Sequence, residues 1–162
     1  MIDAVYAGTF DPPTIGHLDV VEAAVKMGFS VVWLFAVNDS KNPMFSLSER
    51  MQMAVEASSK FSAPRELRID YTPGLVVDYA KSLGIPVMIR SFRNAIDVAY
   101  EMEIQQNNAI LAADVSTIFI PPKAEHTYIS SSAVRMLIKN KRFHALNSYC
   151  PECVVDYVMR RE

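Results

Sequence analysis

Short apolar segments alternate with helix-like segments from one end of this sequence to the other, and this alternation restricts the possible folds most. The apolar segments are rich in β-branched residues and carry bulky side chains at successive positions, as in residues 30–37. That pattern is typical of strands covered on both faces. Because parallel strands need a long crossover that covers the sheet, the alternation predicts a parallel sheet with helices on both sides. Right-handed crossovers make this a doubly wound, Rossmann-like α/β fold.

The same pattern places the individual elements. Helices are predicted around Leu18, Val21 and Ala24, which recur at helical spacing, and then over residues 47–60, 75–83, 95–113, 131–139 and 154–161. Strands are predicted over residues 2–7, 30–37, 66–71, 86–90 and 115–120, with the third at a sheet edge because its polar and apolar residues alternate. We expect the five strands to lie in the order 3-2-1-4-5, in a single domain that spans residues 1–162.

Charge and hydropathy exclude several classes of protein. The net charge of −2, from 16 basic and 18 acidic residues, argues against a nucleic-acid partner held by charge. The longest fully apolar run, residues 31–37, is too short to span a bilayer, and no basic segment of a signal peptide follows Met1. Two cysteines are too few for a disulfide framework. We therefore expect a cytoplasmic protein with neither a nucleic-acid nor a membrane partner.

The expected strand order locates a ligand site before any motif is considered. Ligands of doubly wound sheets bind beyond the carboxyl ends of the strands, where the winding reverses, and here that point lies between strands one and four. The loops at residues 8–17 and 90–94 should therefore face each other. The loops that carry Lys41 and Ser130 should flank them.

These loops carry groups that bind phosphate. The first loop leads into a helix, where phosphates commonly bind, although it is neither a G-x-G-x-x-G nor a P-loop sequence. Gly16 places His17 in or near the first helical turn, where we expect its backbone N–H to be available. Arg90 and Arg93 suit bidentate phosphate contacts, and the serines at 130–132 offer hydroxyls and unpaired N–H groups. Taken alone, the histidine and the serines are more often structural, and the arginine pair fits a surface or a phosphate-binding role about equally, but together these groups favour an anion site.

Two motifs resemble those of the nucleotidylyltransferase superfamily, which is marked by T/H-x-G-H and I-S-S sequences. They are Gly8-Thr9-Phe10-Asp11-Pro12 with Thr14-x-Gly16-His17, and Ile129-Ser130-Ser131-Ser132. Within that superfamily the chain is similar to the phosphopantetheine adenylyltransferases. The finer similarity lies in Ser40-Lys41-x-Pro43-Met44-Phe45, Ile89-Arg90-x-Phe92-Arg93, Asp97 and Tyr100-Glu101-Met102. The resemblance extends from Tyr6 to about Val155, with the motifs in the same order and spacing.

The resemblance implies adenylyl transfer from ATP to 4′-phosphopantetheine, giving dephospho-coenzyme A and pyrophosphate in the penultimate step of coenzyme A synthesis. It also implies Mg²⁺ carried on the ATP phosphates rather than in a protein cage, and a homohexamer built as a dimer of trimers. The implied catalytic residues are His17, Lys41, Thr9 and Arg90, and the implied phosphopantetheine-binding residues are Thr9, Lys41, Val76 and Arg90. The implied ATP-binding residues are Thr9, Phe10, His17, Ser91, Phe92, Arg93, Glu101, His126, Thr127, Tyr128, Ile129, Ser130, Ser131 and Ser132.

The roles implied by the resemblance fit the chemistry of the reaction. His17 would donate to the α-phosphate of ATP, and Thr9 would hold the attacking phosphate. Phe10 would line the nucleotide side through its backbone. Lys41 would neutralise charge between the two reacting phosphates, and Arg90 would bind the phosphate of phosphopantetheine. Because the attacking phosphate is already ionised and pyrophosphate is a good leaving group, positioning and charge stabilisation should carry the catalysis without a general base.

Four positions depart from the family's usual pattern. Ser91 stands where glycine is common, and Asn42 replaces a frequent lysine. His126 replaces a common tryptophan, and Ala109 lies in a stretch that lacks a basic residue often found there. These departures bear on substrate affinity and regulation more than on the reaction itself.

Two other functions stay open at this point. Another small-molecule nucleotidylyltransferase, of the cytidylyltransferase or nicotinamide-mononucleotide adenylyltransferase type, usually has histidine where this chain has Thr14. A non-catalytic nucleotide-binding module would need only a triphosphate cradle, and not Lys41 and Arg90 as well. Cys150 and Cys153 form a C-x-x-C pair with no second pair and no histidine at ligand spacing. We interpret them as incidental rather than as a redox or zinc site.

Overall fold

The computed structural model describes residues 1–37, 42–59, 61 and 66–161, and it contains the predicted parallel sheet of five strands in the order β3-β2-β1-β4-β5. The strands are β1 (Ile2–Gly8), β2 (Phe29–Ala36), β3 (Leu67–Thr72), β4 (Val87–Arg90) and β5 (Ser116–Phe119). The helices are α1 (Ile15–Lys26), α2 (Leu47–Ser58), α3 (Val76–Ser82), α4 (Ala95–Leu111), α5 (Ser131–Lys139) and α6 (Glu152–Arg161). The predicted elements are present with small shifts at their ends; Lys60, the predicted end of α2, lies outside the described residues.

The central strand β1 shows why the sequence pattern predicts strands that are covered on both faces. It pairs in parallel with β2 on one side and with β4 on the other. Because side chains alternate along a strand, Ala4 and Tyr6 enter one core cluster while Val5 and Ala7 enter another on the opposite face. Both faces of the strand therefore need apolar residues.

Helices cover both of these faces. Val20 and Val21 of α1 and Ala54 of α2 pack against the face that carries Tyr6. Val77 and Ala80 of α3 pack against the other face. The predicted doubly wound arrangement is confirmed, and it brings the carboxyl ends of β1 and β4 together at the point where the winding reverses.

A third apolar cluster contains no strand residue. It joins the segment before α2 to α2, α5 and α6 through buried side chains such as Phe45, Met53, Val134 and Val158. Cys150 belongs to this cluster, and burial raises the pKa of its thiol to about 12. A thiol that stays protonated is a poor nucleophile and a poor metal ligand, so this residue acts as a small apolar side chain.

Helix α4 differs from the other long helices, because none of its residues is buried. Ile96 and Ile110 are 83% and 81% exposed. The apolar surface of α4 is therefore left open in a single copy of the chain. Among the described helices, none is both long and apolar enough to cross a membrane.

Candidate active site

A cavity of about 720 Å³ opens where the carboxyl ends of β1 and β4 meet, the place that the strand order predicts for a ligand. This volume lies within the usual range of small-molecule sites. The walls come from the β1–α1 loop, the end of β4, α4 and the start of α5. The predicted site residues that line it are Thr9, Phe10, His17, Arg90, Ser91, Arg93, Glu101, Ile129, Ser130, Ser131 and Ser132.

Two other predicted residues, Val76 and Phe92, do not line the cavity, and a third cannot be placed. Lys41 lies outside the described residues. The Val76 side chain packs against the core cluster on the α3 face of the sheet. The Phe92 ring lies 6.0 Å from the ring of Phe119, measured between centroids. Contacts of these residues with substrate stay predictions.

The side chains of the segment before α5 make contacts within the protein, although those of Thr127 and Tyr128 stay exposed. The Tyr128 ring packs edge-on against Tyr149, and the Thr127 hydroxyl donates to the Ala124 carbonyl. The His126 Nδ1 lies 2.5 Å from the carboxylate of Asp19 on α1. These three side chains do not line the cavity formed by the described residues, so their contacts with ATP stay predictions.

The T-x-G-H motif is a helix cap. Thr14 is the N-cap of α1, and its side chain accepts from the backbone N–H of His17. The His17 Nδ1 in turn accepts from the backbone N–H of Thr14 at 3.1 Å. This is a capping box in which histidine replaces the usual glutamate. The expectation that the His17 N–H is available is wrong, because the cap already uses it; the part of His17 left for a ligand is the far side of its ring.

The cap also fixes the protonation of His17. Since a backbone N–H is always a donor, Nδ1 must be an acceptor, which leaves the hydrogen on Nε2. Burial, reinforced by the charge of Arg93, lowers the pKa of His17 to about 3. The ring is therefore neutral near pH 7. It offers the cavity one Nε2–H donor that costs no proton transfer to maintain.

Arg90, the last residue of β4, is held by a carboxylate on α4. Its Nε donates to Glu101 Oε2 at 2.5 Å, and the two side chains are 19% and 13% exposed. A guanidinium carries five N–H donors, so this contact leaves the terminal nitrogens for another anion. Glu101 thus orients Arg90 rather than facing a phosphate as an unpaired negative charge.

Arg93 links α4 to the start of α5. Its Nε donates to Asp97 at 2.8 Å, and its Nη1 donates to the carbonyl of Ile129 at 3.3 Å. The predicted motifs around Arg93 and Ile129 are therefore joined directly. The loop after β4 is thereby tied to the segment that leads into α5.

The three serines at the start of α5 have distinct contacts. Ser130 is the N-cap and accepts from the N–H of Ala133. Ser131 donates to the carbonyl of Pro12 at 2.8 Å, which ties α5 to the β1–α1 loop. The backbone N–H groups of Ser131 and Ser132 lie in the first helical turn, where no carbonyl of the helix reaches them. Together with the helix dipole they form an anion-binding end.

The floor of the cavity is aromatic. Phe10 is 5% exposed and packs against Tyr6, His17 and Trp33. Phe10 is also among the residues that line the cavity, and its backbone contact with the nucleotide stays a prediction. Burial raises the pKa of the Tyr6 hydroxyl, which therefore stays protonated.

Sequence reasoning did not identify Asp19, the residue that anchors the segment after β5. Asp19 is 6% exposed on α1. Its carboxylate accepts from the backbone N–H of Lys123 and pairs with the side chains of Lys123 and His126. The sequence does carry a signal for this residue, because a carboxylate at a helical position that is otherwise apolar indicates a buried partner.

Other lining residues are also absent from the predicted set. Tyr100 and Ile104 lie on the cavity side of α4, Pro122 follows β5, and Ala36 ends β2. The helical spacing of Asp97, Tyr100 and Ile104 could have indicated that one face of α4 meets the site.

The acidic residues near the cavity do not form a metal cage. Asp97 and Glu101 are paired with Arg93 and Arg90. Among the described residues, no three histidine, cysteine, aspartate or glutamate side chains are grouped to hold a metal ion. Mg²⁺ bound to the phosphates of ATP stays a prediction.

Known proteins resemble this chain across almost its whole length. Residues 5–137 match the family described as cytidylyltransferase-like. The chain is 34% identical over 158 residues to the phosphopantetheine adenylyltransferase of Haemophilus ducreyi, covering 98% of this chain and 95% of that protein. It is 40% identical over 135 residues to the phosphopantetheine adenylyltransferase of Dictyoglomus thermophilum, covering 83% and 80%.

A solved structure shows the fold at low sequence identity. The crystal structure of Thermotoga maritima TmcAL superposes with a TM-score of 0.70 at 11% identity, covering 99% of this chain and 56% of that one. The architecture is thus shared well beyond the close relatives. By its sequence, its fold and the residues around its cavity, the chain belongs to the cytidylyltransferase-like family and, within it, to the phosphopantetheine adenylyltransferases.

Proposed function

We propose that this protein transfers the adenylyl group of ATP to 4′-phosphopantetheine, forming dephospho-coenzyme A and pyrophosphate. The observation that carries the proposal is the cavity, in which a neutral histidine donor and two arginines converge at the switch point of the sheet. Relatives that share 31–40% of their residues with this chain bear the name of that activity. The roles proposed below are those that the family resemblance implies, and most of the residues that carry them line this cavity.

The reaction needs alignment more than proton transfer. An oxygen of the 4′-phosphate attacks the α-phosphorus of ATP, and the bond from that phosphorus to the bridging oxygen of the β-phosphate breaks. The electron pair leaves with pyrophosphate, so no proton has to move. Catalysis then consists of holding two phosphates in line and stabilising the charge that develops between them. A site whose carboxylates, Asp97 and Glu101, are occupied by arginines suits this scheme.

In this proposal His17 binds the α-phosphate through its Nε2–H. A neutral donor strengthens as charge grows on the phosphate oxygen and requires no protonation step. Its position is set by the Thr14 cap and by the edge-on contact with Phe10, whose ring centroid is 4.9 Å from that of His17. Such preorganised donors supply much of the stabilisation in acyl and phosphoryl transfer.

The remaining roles divide between the two substrates. Arg90 would bind the phosphate of phosphopantetheine through the terminal nitrogens that Glu101 leaves open. Thr9 would hold the attacking phosphate, with Lys41 neutralising charge between the reacting groups. Val76 stays a prediction for the pantetheine arm.

The nucleotide would lie between Arg93 and the start of α5. The N–H groups of Ser131 and Ser132 suit the triphosphate, because they combine free donors with the positive end of the helix dipole. ATP would bind as its Mg²⁺ complex, with the ion resting on phosphates and water. In that form the substrate brings its own counter-charge.

The reverse reaction tests this proposal directly. Purified protein is supplied with dephospho-coenzyme A, pyrophosphate and Mg²⁺, and ATP is measured with a coupled luminescent assay. We expect ATP to form, and 4′-phosphopantetheine to be consumed with ATP in the forward direction. Parallel reactions with CTP, or with nicotinamide mononucleotide as acceptor, separate the alternative transferases. Absence of ATP in every condition would contradict the proposal, and nucleotide binding without turnover would point to a binding module.

We also propose that the protein assembles as a homohexamer, a dimer of trimers. The support is α4, a 17-residue helix without a buried residue that exposes Ile96, Ile110 and Leu111. Exposed apolar surface of this kind marks interaction sites. Since α4 also carries Glu101 and Asp97, packing by a second copy would steady the carboxylates that orient the arginines of the cavity.

Two broader predictions complete the proposal. We propose that residues 1–162 act as one catalytic domain, because the cavity draws its walls from elements spread along the chain from β1 to α5. We also place the protein in the cytoplasm. Cell fractionation with an antibody to the native chain tests that location.

A further inference from the structure

A cluster of charged side chains lies behind the wall that the β1–α1 loop forms. Asp11 and Arg50 are only 4% and 3% exposed, and Arg135 lies beside Asp11. None of the three is among the residues that line the cavity. Because a buried charge is costly unless its hydrogen-bonding groups are satisfied, the partners of these groups reveal what the cluster holds.

The Asp11 carboxylate binds the segment that precedes α2. The N–H of Met44 donates to Oδ2 at 2.8 Å, and the N–H of Phe45 donates to Oδ1 at 2.9 Å. Arg135 approaches Oδ2 to 3.6 Å and donates to the Asp11 carbonyl. With each oxygen taken by an N–H group of one neighbouring segment, the carboxylate fixes the β1–α1 loop against that segment.

Arg50 joins the same two segments in the opposite direction. From the first turn of α2, its Nη1 donates to the carbonyl of Thr9 at 2.5 Å. Its Nε donates to the carbonyl of Phe45 at 3.0 Å. Asp11 therefore reaches from the loop to the segment before α2, and Arg50 reaches from α2 back to the loop. The two charges form a reciprocal cross-link.

The cross-link brackets a backbone conformation that needs support. Phe10 has a φ of 47°, in the left-handed region that bulky residues rarely adopt. Such a conformation persists where its surroundings over-determine it. Here the ring of Phe10 packs against Tyr6. The residue before it, Thr9, is held through its carbonyl by Arg50. The residue after it, Asp11, is held through its own carboxylate by the N–H of Phe45.

We propose that Asp11 and Arg50 are positioning residues for adenylyl transfer, which hold the backbone of Thr9 and Phe10 in the place that the reaction requires. This inference rests on the proposed function. Neither side chain lines the cavity in which the reactants would bind. Since a misplacement of about 1 Å can cost roughly 10²-fold in rate, the pair should act on kcat far more than on the KM for MgATP.

Two conservative variants test the cross-link. Asp11→Asn keeps the shape but turns an NH₂ group toward one of the two N–H donors, and Arg50→Lys keeps the charge but loses the fork. We expect each to lower kcat per folded protein by about 10- to 100-fold, with the KM for MgATP within about threefold. Circular dichroism and thermal melting measure the folded fraction. The double variant should lose about as much as the worse single one, because the pair acts as a unit.

Arg161→Lys is the matched control. Arg161 donates to the carbonyl of Met44 at 3.0 Å, so it holds the same segment without touching the β1–α1 loop. We expect kcat close to that of the parent. The inference is overturned if both folded variants keep kcat within threefold, or if the control loses as much as they do. If Asp11→Asn does not fold, the kcat of Arg50→Lys alone tests the inference. An inactive parent protein overturns the proposed function, and this inference with it.

Discussion

The two walls of the cavity are built in different ways. The wall formed by the β1–α1 loop is anchored in the core, with Phe10 only 5% exposed and His17 fixed by the Thr14 cap. The opposite wall is α4, which buries none of its own residues. It lines the cavity with side chains such as Tyr100 and Ile104, and it holds the two arginines through ion pairs, of which the pair between Arg93 and Asp97 is 36% and 24% exposed.

The first wall therefore provides fixed positions, and the second wall provides charged groups. Close packing sets the positions on the first wall before any ligand arrives, because a core has few alternative arrangements. The second wall depends on partly exposed ion pairs, which water and salt weaken. We therefore expect changes on the first wall to affect the chemical step, and changes on the second to affect substrate affinity and assembly.

The largest effect should come from His17→Ala, which removes the donor of the first wall. Loss of one preorganised donor costs about 10²- to 10³-fold in kcat, so we expect a fall of this size while MgATP still binds. Rapid-quench kinetics and calorimetry measure the two quantities. The exposed His144→Ala serves as the control. Turnover within about tenfold of the parent, or ~1.4 kcal/mol in the barrier, would remove His17 from the mechanism.

On the second wall, Glu101→Gln should act through Arg90. Without the carboxylate, the guanidinium loses the partner that orients it. We expect the KM for 4′-phosphopantetheine to rise about tenfold, with a smaller change in kcat, since a charge-assisted contact is worth roughly 1.5–3 kcal/mol. Steady-state kinetics provide the measurement. Glu103 is exposed on the same helix, so Glu103→Gln should leave this KM and kcat unchanged. Equal effects of the two substitutions would show that Glu101 does not orient Arg90.

A smaller change in activity, but a clear change in mass, should follow from Ile110→Asp. A charge placed on the exposed apolar surface of α4 opposes its burial against a second copy. We expect the hexamer to dissociate at concentrations at which the parent stays assembled, as measured by analytical ultracentrifugation. Met159→Asp on α6 is the control, because Met159 is 53% exposed outside α4. Unchanged mass for Ile110→Asp would place the interface elsewhere.

The smallest effect on activity near neutral pH should come from a change in pH, because His17 stays neutral there. Burial lowers the pKa of His17 to about 3, below the value of about 6.5 in an unfolded chain. The unfolded state therefore binds more protons below pH 6.5, so folded stability is lost as pH falls from there toward 3. The ring signal of His17 should stay constant in NMR spectra between pH 5 and 8. A titration midpoint in that range would contradict the lowered pKa of His17.

Much of the fold could be predicted because its signals are local. Two-sided apolar strands such as β2, the capping box of Ser46 with Glu49 and the serine cap of α5 are readable within a few residues. Even the strand order followed from the connection rules for parallel sheets. The third apolar cluster was not predicted, because Phe45 and Val154 become neighbours only after α2 and α6 pack together.

The candidate site shows the same division. The motif residues Thr9, His17, Arg90 and Arg93 could be identified because the edge they share is set by the strand order. The availability of the His17 N–H was predicted wrongly, since the cap that consumes it depends on the position at which α1 begins. Lys41, the fifth residue of this kind, lies outside the described residues.

By itself the sequence determined the layered α/β architecture, the location of the site and the chemistry it can perform, because these follow from periodicity, turn residues and the order of motifs. Only the tertiary structure decided how the site is held. The Asp11–Arg50 cross-link joins the β1–α1 loop to α2 and the segment before it, and the Arg90–Glu101 pair joins β4 to α4. Partners of that kind have no local signature, since a buried charge is selected by the groups that folding brings to it.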